Sequence, residues 1–218
     1  MLIDLSHTIE NEMITYKGLP APLICDYLSR DESKKFYAEG TEFQIAKIEM
    51  VGNTGTYLDC PFHRYADGHD FSMIALEAMV DLPTIIIKVP WQETQAIDYQ
   101  YFKNFDIKNK AVLVHTGWAE HWRTEQYFEN HPFLTQAAAE FLVEAGAKLV
   151  GIDSHNIDDT RQNSRPVHST LLGKGVLIVE HLCNLEQIPD NQLISFTAAP
   201  PKFKGIGTFP VRAFVRVG

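Results

Sequence analysis

The 218-residue chain is 45% hydrophobic and 22% charged, which suits one globular domain able to bury a sizeable core. A formal net charge of -9, with no Lys/Arg-rich run, argues against nucleic acid or an anionic membrane as partner. Three cysteines without a C-x-x-C spacing argue against a disulfide framework or a structural zinc site and fit reduced thiols in the cytoplasm. No apolar run approaches the ~20 residues of a membrane span, and the opening MLIDLSHTIE has neither the basic nor the apolar region of a signal peptide.

Residues 1–9 predict an opening strand or turn, and residues 15–22, with Gly18, Pro20 and Pro22, a loop. Residues 29–42 carry Arg30, Asp31, Glu32, Lys34 and Lys35 and read as a solvated loop, or more sharply as a mobile lid over a site. Ala46, Ile48 and Met50 alternate with Lys47 and Glu49, a strand with one buried face. Ser72 is placed to cap a helix through Val80, with Leu76, Met79 and Val80 on its apolar side. Residues 84–89, with three consecutive isoleucines, and residues 111–115 predict buried strands.

Thr135 is a good N-cap for a helix running to Ala145 and ended by Gly146. Residues 148–153 form a buried strand with Asp153 at its end, and the polar residues 154–166 a loop. One short helical turn follows at 168–172, then an apolar strand at 176–179 that ends in Glu180. Val211, Ala213, Val215 and Val217 alternate with Arg212 and Arg216 as a closing strand. The sum is a single α/β domain over residues 1–218, a mixed sheet with flanking helices.

Residues 52–63 read G-N-T-G-T-Y-L-D-C-P-F-H and concentrate the chemistry. Pro61 biases Cys60 away from the helical region, so this segment is expected to be extended. Asn53, Tyr57, Asp59 and His63 then share parity and face the same way, unless a bulge at Gly55 breaks the register. Further on, Glu180 follows four apolar residues, and a carboxylate so near the core needs a donor, a cation or a metal. An ion pair with a C-terminal arginine is the plain alternative.

The stretch around residues 51–68 resembles the signature of the cyclase family of metal-dependent hydrolases, which includes bacterial kynurenine formamidase and isatin hydrolase. Gly55, Thr56, Asp59, Pro61 and His63 keep that pattern. So, in the same order, do D-L-S-H at 4–7, T-G-W at 116–118, G-I-D at 151–153, P-V-H with L-L-G and Glu180 at 166–180, and the closing P-P-K-F-K-G and P-V-R-A-F. The resemblance implies the family's swivelling β/β/α fold, a homodimer or homotetramer, and hydrolysis of a small amide, either an aryl formamide such as N-formylkynurenine or a cyclic amide. It carries over Asp59, His168 and Glu180 as metal ligands and His63 as the catalytic proton shuttle.

The departure is equally specific. Where the family has two histidines holding a first metal, this chain has Asn53 and Tyr57. A neutral amide oxygen and a neutral phenol are poor ligands for a transition metal, so that site is weakened or lost. One His and two carboxylates remain, enough for a single Zn or Mn with open positions, or for none. Tyr57 is then free to donate to a developing oxyanion. Two other readings compete: a metal-free binding protein on the same fold, and a Cys60–His63 nucleophile, which the adjacent Asp59 disfavours. Trp118, Trp122 and Tyr127 read as core aromatics before interface ones.

Overall fold

A computed structural model describes all 218 residues. In chain order the strands are β1 (Leu2–Asp4), β2 (Leu23–Leu28), β3 (Ile45–Glu49), β4 (Tyr57–Asp59), β5 (Leu82–Lys88), β6 (Ala96–Ile97) and β7 (Ala111–His115). Then come β8 (Phe133–Leu134), β9 (Leu149–Ile152), β10 (Leu177–Glu180), β11 (Ile194–Thr197), β12 (Thr208–Pro210) and β13 (Phe214–Val217). The helices are α1 (Arg30–Ser33), α2 (Gln136–Glu144) and α3 (Pro166–Leu172).

Nine strands form one mixed sheet in the order β1-β13-β11-β5-β7-β9-β10-β4-β12. Its centre, β5-β7-β9-β10, is parallel, and both flanks are antiparallel. Of the central strands, β7, β9 and β10 are buried on both faces, which explains their continuous apolar runs, whereas β5 buries only Leu82 and Ile87 fully. Along β7, Val112 and Val114 join a core cluster roofed by Ala138 and Leu142 of α2 and Leu171 of α3. Leu113 between them joins the opposite cluster, with Leu58, Val179 and Phe196. The period-2 alternation of a strand thus divides the apolar residues between two layers. Thr135 caps α2 by accepting from the Ala138 amide at 3.2 Å.

Several expectations need correction. The helix from Ser72 to Val80 does not form. Ser72 instead donates its hydroxyl to Asp70 at 2.6 Å, and only Leu76–Ala78 make a 3-10 turn. The strand around Ala46 exists as β3, but none of its residues is buried. It pairs only with β2, and the two make a hairpin off the main sheet, so its alternation has no core to face. Within residues 29–42 a short helix forms, with Ser29 and Glu32 in a reciprocal capping box. The closing strand is limited to β13, because residues 211–213 cross from β12 to β13 outside either ladder, with the Val211 amide donating to Thr56 and the Ala213 carbonyl accepting from Leu5.

Candidate active site

β4 is three residues long and places Tyr57 and Asp59 on one face, both fully buried. Its neighbours complete the site by register: Glu180 of β10 lies opposite Tyr57, and Thr208 of β12 lies opposite Asp59. Directly opposed residues point to the same side, so each pair can touch. The extended stretch predicted through His63 is broken twice. Gly55 adopts φ +66, and Pro61–His63 wind into a 3-10 turn. That turn carries His63 back beside Asp59, with Nδ1 3.8 Å from Oδ1. The close approach of the next chain segment requires Gly207, where any Cβ would lie 2.1 Å from the His63 amide nitrogen.

Two hydrogen-bond chains fix the imidazoles. His168 Nδ1 lies 2.6 Å from Asp158 Oδ2, whose carboxylate also accepts from the Val167 and His168 amides. An ionised carboxylate can only accept, so Nδ1 carries a proton, and Nε2 is the nitrogen that can give a lone pair to a cation once its own proton is displaced. Nε2 stands 3.6 Å from Asp59 Oδ2 and 3.7 Å from Glu180 Oε1. The second chain runs through Thr208, whose hydroxyl contacts both Asp59 Oδ1 and, at 2.6 Å, His63 Nδ1. Its one proton goes to the carboxylate, so His63 Nδ1–H donates to the Thr208 oxygen. His63 Nε2 is left as the free base.

The five residues expected from the sequence, Tyr57, Asp59, His63, His168 and Glu180, therefore converge. Asp59, His63 and His168 each place one ligand atom within 4.8 Å of the others. Asp59 Oδ2 is buried with no hydrogen-bond partner, an orphaned carboxylate oxygen aimed at the same point as His168 Nε2. Burial works to lower the His168 pKa, but Glu180, Asp158 and Asp59 outweigh it and hold the imidazole well above its ordinary range. Burial and Asp59 push the Glu180 carboxyl up, against the pull of His168. This excess of buried carboxylate around one imidazole fits a divalent cation.

Tyr57 stands differently from expectation. Its hydroxyl donates to Glu180 Oε2 at 2.5 Å, and the Ile157 amide donates to the other oxygen at 2.6 Å. Burial, then Glu180 and Asp59, hold the phenol well above its usual pKa, so it is a donor and not an anionic ligand. Asn53 lines the same pocket, a cavity of about 200 Å³ that opens onto His63, His168 and Glu180. No residue of 29–42 lines it. The arginine partner considered for Glu180 is absent: Arg212 pairs with Asp4 and Arg216 with Asp81. Burial raises the Cys60 thiol to about 11, which removes it as a nucleophile at neutral pH. Trp118 and Tyr127 are buried in the chain's own core.

Sequence reasoning missed Asp158 and Thr208, and no spacing rule marks either. It also missed two further sequestered imidazoles, a half-buried His7 and a buried His155. His7 stacks on Trp122 at 3.8 Å with its Nε2 unpaired, and His155 has an unpaired Nδ1. Burial lowers the pKa of His7 to about 4 and that of His155 to about 2.

The family model described as putative cyclase matches residues 3–159. The chain belongs to the cyclase family. A kynurenine formamidase of Bacillus cytotoxicus is 27% identical over 217 residues, covering 98% of this chain and 96% of the relative. One from Bacillus anthracis is 26% identical over 215 residues at the same coverage. Among solved structures, a potential metal-dependent hydrolase with cyclase activity superposes with a TM-score of 0.80 at 26% identity, over 99% of this chain and 96% of the other. Isatin hydrolase A from Labrenzia aggregata, bound to benzyl benzoate, shares the fold with a TM-score of 0.81 at 21% identity, over 99% and 93%. This cyclase-family chain is thus similar to its relatives from end to end.

Proposed function

We propose that the protein hydrolyses a small non-peptide amide, an aryl formamide or a cyclic amide, with one divalent metal held by Asp59, His168 and Glu180. The observation that carries this reading is the convergence of His168 Nε2 with the orphaned Asp59 Oδ2 at 3.6 Å, beside a His63 whose Nε2 is left basic. When bound, the ion supplies positive charge that acidifies water and polarises the carbonyl. His63 Nε2 takes a proton from the attacking water and delivers it to the departing nitrogen as the C–N bond breaks, giving a carboxylic acid and an amine. Asp59, through Thr208, keeps His63 in the tautomer that can do this. Zn or Mn suits a set of one imidazole and two carboxylates.

Asn53 and Tyr57 favour a second reading, a metal-free small-molecule-binding protein; the intact relay from Asp59 through Thr208 to His63 supports turnover instead. We further propose a homodimer or homotetramer in the cytoplasm. The uncovered β2–β3 hairpin, with Leu23, Tyr27, Ile45 and Ile48 exposed, supports assembly, and three free cysteines suit a reducing compartment. No helix is long and apolar enough to cross a membrane.

The test is elemental mass spectrometry on protein purified without chelator or nickel affinity, with an aryl formamide and lactam screen. About one divalent ion per chain, lost in His168→Ala together with turnover, is expected of this site. Protein that stays metal-free after reconstitution with Zn and Mn, and turns over no amide, would establish the binding-protein reading.

A further inference from the structure

Seven arginines occur in the chain. Arg123, Arg161, Arg212 and Arg216 each pair with a carboxylate. Arg30 lies on the exposed α1. The remaining two, Arg64 and Arg165, form no ion pair, and both line the pocket that holds His63, His168 and Glu180. Arg64 follows His63 directly, and Arg165 caps the start of α3, three residues before His168. Each is therefore fixed to a segment that also carries a residue of the site.

One hydroxyl ties the two together. Ser169 Oγ accepts from Arg64 Nε at 3.1 Å and donates to the Arg165 carbonyl at 2.8 Å. Only Nε of Arg64 is used, so both of its terminal nitrogens remain for a ligand. Arg165 spends Nη1 on backbone carbonyls, those of Ser164 at 2.9 Å and of Gln162, which holds the guanidinium against the pocket wall. Tyr16 shares that wall: burial and Glu180 raise its pKa, and the adjacent Arg165 pulls it back. Two guanidinium groups without counter-ions, lining one small pocket on segments tied through one hydroxyl, have the chemistry of an anion clasp.

We propose that Arg64 and Arg165 bind a carboxylate on the substrate, so that the preferred amides are anionic aryl amides carrying a carboxylate beside the scissile bond. This rests on the amide-hydrolase reading of the same site.

The test compares formanilide with its ortho-carboxylate, N-formylanthranilate, on the metal-loaded protein. The readout is the ratio of kcat/KM for the carboxylate over the neutral amide. In Arg165→Gln and in Arg64→Gln that ratio is expected to fall about ten- to a hundredfold, the worth of a charge-assisted hydrogen bond, mainly through KM. Arg64→Lys, which keeps the charge, should retain part of the preference. A ratio unchanged in both glutamine variants overturns the proposal, since arginines that only balance Asp59 and Glu180 would affect both amides alike.

A second measurement is independent of turnover. Benzoate binding to the chelator-treated protein, followed by calorimetry, should weaken about tenfold or more in both glutamine variants. Wild-type affinity in both would overturn the clasp. Should no amide be turned over while benzoate binding still depends on both arginines, the clasp stands and the hydrolase reading falls.

Discussion

The Tyr57 hydroxyl and the Glu180 carboxylate, opposite each other on β4 and β10, share a 2.5 Å hydrogen bond, and neither side chain reaches water. The phenol thus supplies a donor to a buried charge where the family resemblance places a metal-binding imidazole. Tyr57→Phe removes that donor and leaves one Glu180 oxygen unsatisfied, at a cost of about 1–3 kcal/mol. A lowered urea midpoint together with weakened metal affinity is the expected result. Unchanged stability would show that the bond contributes nothing net, and unchanged turnover in a metal-loaded variant would remove any oxyanion role for Tyr57.

Restoring the missing imidazoles should restore the missing site. The double variant Asn53→His, Tyr57→His is expected to take up about two divalent ions per chain against about one in the wild type. Elemental analysis after dialysis against Zn reads this directly. One ion in both proteins would mean that the pocket no longer has room for the second.

Asp158 touches no substrate-facing space, yet it sets which nitrogen of His168 bears the proton. Asp158→Asn should weaken metal affinity about ten- to a hundredfold, the usual loss when a ligand's outer partner is replaced. Competition with a chromogenic chelator measures it, and circular dichroism at the same temperature separates the effect from unfolding.

Thr208→Val cuts the link between Asp59 and His63 and leaves the imidazole free to adopt the wrong tautomer. A kcat lower by about a hundredfold is expected, with Thr208→Ser restoring most of it. The acid limb of the pH–rate profile, where a general base is lost to protonation, should shift only in the valine variant. Equal profiles in the serine and valine variants would reduce Thr208 to a packing residue.

His7 and His155 give stability a pH dependence of definite sign. Burial lowers both, to about 4 and about 2, from 6.5 in the unfolded chain. Between those limits the unfolded state binds more protons, so stability is fully present above pH 6.5 and is lost as pH falls. Each imidazole should remove about 2 kcal/mol between pH 6.5 and pH 5. Urea titrations at three pH values test this, and His7→Phe, which keeps an aromatic ring beside Trp122, should reduce the slope. A slope that steepens in that variant would contradict the assignment.

The fold was readable where burial is two-sided. The apolar runs of β7, β9 and β10 admit little but central strands, and Thr135 with Gly146 brackets α2 by cap chemistry. Reading failed where alternation was taken for burial: Ile48 alternates with Lys47 in a hairpin that faces no core. It failed again at Ser72, whose hydroxyl prefers the nearby Asp70 to a helix amide. The residues that converge at the candidate site could be picked out because each sits at a Gly, Pro or strand-end position. Thr208 and Arg165 were not, because only β12 packing on β4 and α3 turning toward the pocket give them their neighbours.

The β4 register has one more consequence, for how the molecule comes into being. Asp59 meets Thr208 across 149 positions of sequence, and Tyr57 meets Glu180 across 123. Contacts so distant in sequence are made slowly, after much of the topology is in place. In an unfolded chain the candidate ligands are too dispersed to act as a chelate. Metal therefore favours the finished native state by mass action alone, and its uptake waits on folding instead of guiding it.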